Sequence, residues 1–124
     1  MKKTGITLIA LAFGLILFAS FSRQVSPIPS NPSENFPDSV WMVLEKSCYG
    51  CHSDDGNGMA KAKLNFDSWD EYADDKQLAK AQNMCNIVKK GKMPPSKFLK
   101  NNPESALTDA NVALICSWAD QKGK

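Results

Sequence analysis

Apolar residues along this chain form one continuous run and three spaced stripes. The run extends from Thr4 to Ser22. It has 19 residues without a charge and is rich in Ile, Leu, Ala and Phe. The stripes recur at helical spacing. Val40, Val43 and Leu44 mark a helix over about Ser39 to Ser47, with Asp38 as its N-cap. Leu78, Ala81, Cys85 and Val88 mark a longer helix over about Asp74 to Lys90. Lys89 and Lys90 favour its C-terminal dipole, and Gly91 suits its stop. Val112, Ile115, Cys116 and Ala119 mark a last helix over about Asp109 to Gln121, capped by Thr108 and followed by Gly123.

The intervening segments read as loops. Residues 53–65 hold Asp54, Asp55, Gly56, Asn57 and Gly58, which is turn chemistry. Asp67 is placed to cap a short turn carrying Trp69 and Tyr72. Residues 92–107, with Pro94, Pro95 and Pro103, form an irregular loop. No segment alternates as a strand and no repeat is present, so the expected class is all-α.

The continuous run follows Met1-Lys2-Lys3, and Arg23 is the first charge after it. A short basic start before an apolar run is an export signal, because the positive end stays cytoplasmic while the apolar part enters the membrane. Residues 1–22 are therefore a signal peptide or an uncleaved membrane anchor. Ser20-Phe21-Ser22 offers small residues for cleavage, and the run is just long enough to span a bilayer. Residues 23–36 form a Pro/Ser-rich linker, with Pro27, Pro29 and Pro32 before Pro37. The folded domain is expected at 37–124. A core that small often needs a staple or a cofactor. The expected location is outside the cytoplasm, in a bacterial periplasm, either soluble or tethered to the inner membrane through residues 4–22.

Formal net charge is +2, which excludes a strongly basic nucleic-acid binder. A single His, His52, excludes any site built from several imidazoles. The four Cys then become informative. Cys48-Tyr49-Gly50-Cys51-His52 has the C-x-x-C-H spacing of c-type haem attachment. Two thiols three residues apart can reach two vinyl groups of one porphyrin, and the next residue lies under the ring, where its imidazole can bind iron. Gly50 is expected to let the backbone run close to the macrocycle. A zinc site from Cys48, Cys51, Cys85 and Cys116 competes poorly, because the last two are single cysteines on separate helices. A thioredoxin-like dithiol would need a strand-to-helix turn that the pattern lacks.

With no second His, Met is the natural sixth ligand, and thioether ligation raises the reduction potential. Met42 is expected to pack and Met84 to fill core. Met59 follows His52 by only seven residues. Met93 stands in Gly91-Lys92-Met93-Pro94-Pro95, on a proline-stiffened loop 41 residues after His52. Met93 is the expected ligand and Met59 the alternative.

Cys48-x-x-Cys51-His52 followed by Met93-Pro94 resembles the class I c-type cytochromes. Leu64-Asn65-Phe66-Asp67-Ser68-Trp69, then Gly91 to Pro95, then Leu107-Thr108 and a final helix with Trp118, resembles the small haem-binding-domain family of exported bacterial monohaem cytochromes. The resemblance covers about residues 40–120. Family members often have a Trp-rich segment and a longer loop after the His; here Ser53 to Lys63 is short, polar and Gly-rich instead. The resemblance implies a cytochrome c-like helical domain wrapped around one covalent haem c, with its iron between His52 and Met93. It also implies electron transfer rather than an enzyme activity. In such a fold the helices bearing Cys85 and Cys116 pack together, and exported proteins retain disulfides. A Cys85–Cys116 bridge is the expectation, with two buried thiols as the alternative.

Seven acidic residues fall between Asp54 and Asp75, and five lysines between Lys89 and Lys100. Lys89, Lys90, Lys92, Lys97 and Lys100 surround the Met93 loop and would steer an acidic redox partner. No nucleophile–base pair or phosphate loop is present. The competing functions are a haem-based sensor and a peroxidase-type enzyme, each requiring a displaceable sixth ligand.

Overall fold

A computed structural model describes residues 31–124. The apolar segment at 1–22 and the linker as far as residue 30 lie outside the described residues. Among those described there is no strand, as the sequence pattern predicts. The main helices are α1 (Asp38–Leu44), α2 (Gly58–Lys63), α3 (Asp74–Lys89), α4 (Ser96–Leu99) and α5 (Asp109–Gln121). Short 3-10 turns occupy Pro32–Asn35, Trp69–Glu71 and Pro103–Ser105.

Packing centres on α3 against α5, with α1 crossing α5. Small residues bring the two long helices together: Ala81 and Cys85 on α3 are buried, as are Cys116 and Ala119 on α5. Cys85 and Cys116 form a disulfide with their Cα atoms 4.7 Å apart. Thr108 caps α5 in a reciprocal capping box with Asn111. The rest of the core is one cluster with aliphatic and aromatic members. Val40, Leu44, Val88 and Ile115 make an aliphatic part. Phe36, Phe66, Trp69 and Trp118 make an aromatic part, where Phe36 lies 4.9 Å from Trp69 and 5.2 Å from Trp118 between ring centroids.

Several expectations need correction. Phe36 falls in the span read as linker, yet it is 5% exposed and central to the aromatic cluster. The domain therefore takes in Phe36, because an aromatic ring beside two Trp has more apolar area to bury than a tether needs. Asp38 does not cap α1. Pro37 occupies that position in extended backbone, and Asp38 sits in the first turn, where its charge still favours the dipole. Met42 does not pack: it is 69% exposed, because α1 buries the Val40–Leu44 side and Met42 lies across the helix from it. The reading of 53–65 as loop misses α2, which Asn57 caps by accepting from the N–H groups of Met59 and Ala60. The 92–107 loop includes α4 and a 3-10 turn.

After Leu44 the backbone widens into a π-helical turn, Glu45–Tyr49, in place of a regular helix to Ser47. Single π turns are common at functional sites. Buried Ser105 donates from Oγ to the Lys46 carbonyl at 3.1 Å, pinning this turn to the far loop.

Asp67 does not cap the turn at Trp69 either. Its carboxylate accepts from the Tyr49 hydroxyl and from the Asp54 N–H, each at 2.7 Å. Its own N–H donates to Asn65 Oδ1 at 3.1 Å, and Asn65 Nδ2 donates to Asp54 Oδ1 at 2.6 Å. The segment around Asn65 is thus tied to both the π turn and the loop after it.

Two outcomes follow for stability. Under non-reducing denaturation, alkylation should leave Cys85 and Cys116 unlabelled. The Cys85→Ala/Cys116→Ala variant should lose about 3–4 kcal/mol in chemical unfolding, as expected for a closed loop of this length. The second outcome concerns pH. The hydrogen bond to Asp67, then burial and nearby carboxylates, raises the Tyr49 phenol from 10.0 to about 12. The fold favours the protonated phenol, so this contribution is intact below pH 10.0 and is lost as pH rises toward about 12. Across that window the wild type should lose stability relative to Tyr49→Phe, and ultraviolet titration should show one late-titrating tyrosine.

Candidate functional site

The Cys48–His52 segment completes the helical run that begins with α1. The N–H of Cys51 donates to the Cys48 carbonyl at 3.1 Å, and that of His52 donates to the Cys48 and Tyr49 carbonyls at 3.1 Å. This winding brings the two thiols and the imidazole onto one turn. Gly50 is helical, and a Cβ built there meets nothing within 4 Å. The space beside it belongs to a cavity, not to the protein. The glycine that this turn itself requires is Gly56. A Cβ there would run into the Cys51 carbonyl, which accepts from the Asn57 N–H at 3.0 Å as the loop folds back.

His52 is held from two directions. Its Nδ1 lies 2.9 Å from the Leu64 carbonyl. A carbonyl only accepts, so Nδ1 carries a proton, and in the neutral imidazole Nε2 is then the nitrogen with the lone pair. The Phe66 N–H donates to the His52 carbonyl at 2.9 Å, and the Phe66 ring stands edge-on to the imidazole at 6.2 Å. Residues 64–66 are placed in turn by the Asn65–Asp67 network and by the Asn65 N–H, which donates to the Tyr72 hydroxyl at 3.0 Å. Leu64, Phe66 and Asp67 have no site role in the sequence reading. Their trace there is the Leu64-Asn65-Phe66-Asp67-Ser68-Trp69 run of the family resemblance and the reading of Asp67 as a cap.

Two adjoining cavities border this turn. The wider has a volume of about 750 Å³ and is lined by Cys48, Gly50, Cys51, His52, Met59 and Met93 among others. The narrower, about 110 Å³, is walled mainly by apolar side chains, including Leu44, Phe66, Ile87 and Ile115. Cys48, His52, Lys63 and Met93 line both, so the two make one cleft. Cofactor sites commonly enclose roughly 300–1,000 Å³ with mostly apolar walls.

Met93 reaches the cleft through the end of α3. Gly91 adopts a left-handed φ of 61°. Its N–H donates to the Val88 carbonyl at 3.0 Å, and the Lys92 N–H donates to the Ile87 carbonyl at 3.1 Å. This Schellman closure reverses the chain and delivers Met93 to the cleft. Pro94, buried next to it, and Pro95, at the N-cap of α4, fix the outgoing side. Met93 is 37% exposed. Met59, on α2, is 78% exposed. Met84 is half-buried on α3 and lines the narrow part. The structure thus brings Cys48, Cys51, His52 and Met93 to one cleft and places Met59 at its rim.

Burial, with Cys51 beside it, pushes the Cys48 thiol up to about 12. A dithiol poised for exchange needs the opposite shift. Zinc is excluded for the four-cysteine set because Cys85 and Cys116 are spent on their disulfide. Among the described residues, no group of three or more His, Cys, Asp or Glu could hold a metal ion. Two thiols on one turn, an imidazole nitrogen with its lone pair free and a thioether on one apolar cleft are a donor set that fits haem.

Comparison with curated proteins and with solved structures gave no match. The sequence pattern of the haem-binding domain family matches residues 57–121, which is 65 of the 124 residues. The match takes in α2 through α5 and Met93. By this match the chain belongs to the haem-binding domain family.

Proposed function

We propose that this protein is a monohaem c-type cytochrome that carries single electrons outside the cytoplasm. The observation that carries the reading is the state of His52. Its Nδ1 is committed to the Leu64 carbonyl, so Nε2 is the nitrogen available on a cleft that Cys48, Cys51 and Met93 also border. In this reading each thiol adds across one vinyl group, forming a carbon–sulfur bond and passing its hydrogen to the neighbouring carbon. Bound haem supplies the one-electron chemistry of its iron. The chain's part is to hold the macrocycle through Cys48 and Cys51, present Nε2 of His52 on one face and offer the Met93 sulfur on the other. Apolar walls keep water from the ring. No catalytic residue is assigned.

Lys89, Lys90, Lys92, Lys97 and Lys100 are all exposed around the Met93 loop. They support docking of an acidic redox partner there. Among the described residues no helix is long and apolar enough to cross a membrane. Membrane attachment in the periplasm, if retained, is assigned to residues 4–22. A sensor or peroxidase-type role would require the sixth ligand to leave readily, and the position of Met59 on the same cleft keeps that second reading testable.

The ferric optical spectrum should show the weak band at the red edge of the visible that reports a methionine–iron bond. Met93→Ala should abolish it and Met59→Ala should keep it. A spectrum unchanged by Met93→Ala would sink the assignment, and carbon monoxide binding to the unaltered protein would favour the sensor reading. Stopped-flow electron exchange with an acidic partner should slow as ionic strength rises, and replacing the five lysines by Gln should flatten that dependence. A rate indifferent to salt in the unaltered protein would remove the docking proposal.

A further inference from the structure

The narrow part of the cleft is apolar along most of its length but not at one end. There Lys63, Lys80 and Asn83 enter its wall. The same three residues line a third, shallow cavity outside, which includes neither Cys48 nor Met93. The polar end is therefore a mouth; Lys80 and Asn83 do not border the wider cavity that holds Cys51, while Lys63 borders both. Along α3 the wall runs from Val88 back to Lys80, eight residues or about 12 Å at the helical rise. That length separates two edges of a macrocycle.

Lys80 is half-buried. Its Nζ donates to the Lys63 carbonyl at 2.6 Å and lies 4.3 Å from the centre of the Tyr72 ring. An ammonium has three donors, so one contact to a carbonyl leaves others free. No Asp or Glu lines either the narrow cavity or the shallow one. The charged groups facing this mouth are Lys63 from α2 and Lys76 and Lys80 from α3, with Tyr72 beside them. Cations at the mouth of an apolar slot, without a protein carboxylate, suit a ligand that is apolar in its body and anionic at one edge.

We infer that Lys63 and Lys80, with Asn83 beside them, seat the two propionate carboxylates of the haem. This rests on the reading of the Cys48–His52 cleft as the haem seat. The vinyl groups and the propionates lie on different edges of the porphyrin, as Cys51 and Lys80 line different parts of the cleft, with Lys63 bordering both. Lys63 and Lys80 are positioning residues: they hold the carboxylates at the mouth and neutralise the macrocycle's anionic edge, favouring the form with the more negative iron centre.

The test uses the full-length holoprotein. Lys63→Gln together with Lys80→Gln should shift the resonance Raman bending bands of the propionates and lower the reduction potential. The corresponding pair of Arg variants should keep both close to the unaltered protein. Lys80→Gln alone should shift one propionate band. The ferric methionine–iron band should stay unchanged throughout, which separates loss of carboxylate contact from damage to the site. Propionate bands unmoved in the double Gln variant would overturn the inference, whatever the potential does. Unaltered chain isolated without thioether-bound haem would overturn the underlying reading and this inference with it. That result is read before any lysine is replaced.

Discussion

The hydrogen bond from His52 Nδ1 to the Leu64 carbonyl is the interaction on which the arrangement of the cleft depends. Its net worth to stability is only ~0.5–1.5 kcal/mol, as for most neutral pairs. Its consequence is larger, because a single proton on Nδ1 decides which ring nitrogen has electrons to share. The chain defends that bond twice over. Phe66 ties the same short segment back to the His52 backbone, and the Asn65–Asp67–Tyr49 network fixes the segment from its other side. Part of the acidic middle of the chain is therefore structural. Asp54 and Asp67 hold the scaffold of an imidazole, while their neighbours remain solvated.

The second constraint is the close approach of α3 and α5. Ala81 and Ala119 remove side-chain bulk, and the disulfide makes the approach covalent. Large side chains are then concentrated on the two flanks. One flank is the aromatic cluster around Phe36, Trp69 and Trp118, and the other is the aliphatic wall of the cleft. A domain that buries so few large aliphatics in its own centre, beside a cleft with apolar walls, is as expected where a cofactor completes the core.

How much of this was legible in the sequence depended on the reach of each interaction. The α3 and α5 boundaries were readable because their apolar stripes, end charges and caps are local. The Cys48–His52 turn was readable for the same reason, since its chemistry needs only a fixed spacing. Helix α2 was missed because it buries nothing, so it has no stripe; only the Asn57 cap announced it, and that residue is equally at home in a turn. The Leu64 carbonyl was beyond reach in principle, because every residue carries one. Asp67 was misassigned because its partners, Tyr49 and Asp54, are 18 and 13 positions away and no periodicity encodes such a pairing. Phe36 was hidden by its prolines and serines, whose composition describes a tether up to the residue where burial begins.

The disulfide has a meaning beyond the strength it adds. Cys85 and Cys116 bracket Met93 in the chain, so α4 and the whole proline loop belong to one covalently closed ring. Local opening of that loop cannot spread as a fraying tail, because both of its roots are stitched to the helix pair. It opens as a flap. A methionine that leaves the cleft on such a flap stays in its neighbourhood, and its return is an intramolecular event with little chain entropy to overcome. The crosslink thus sets how far the loop can stray, and so how quickly the cleft recovers its closed form.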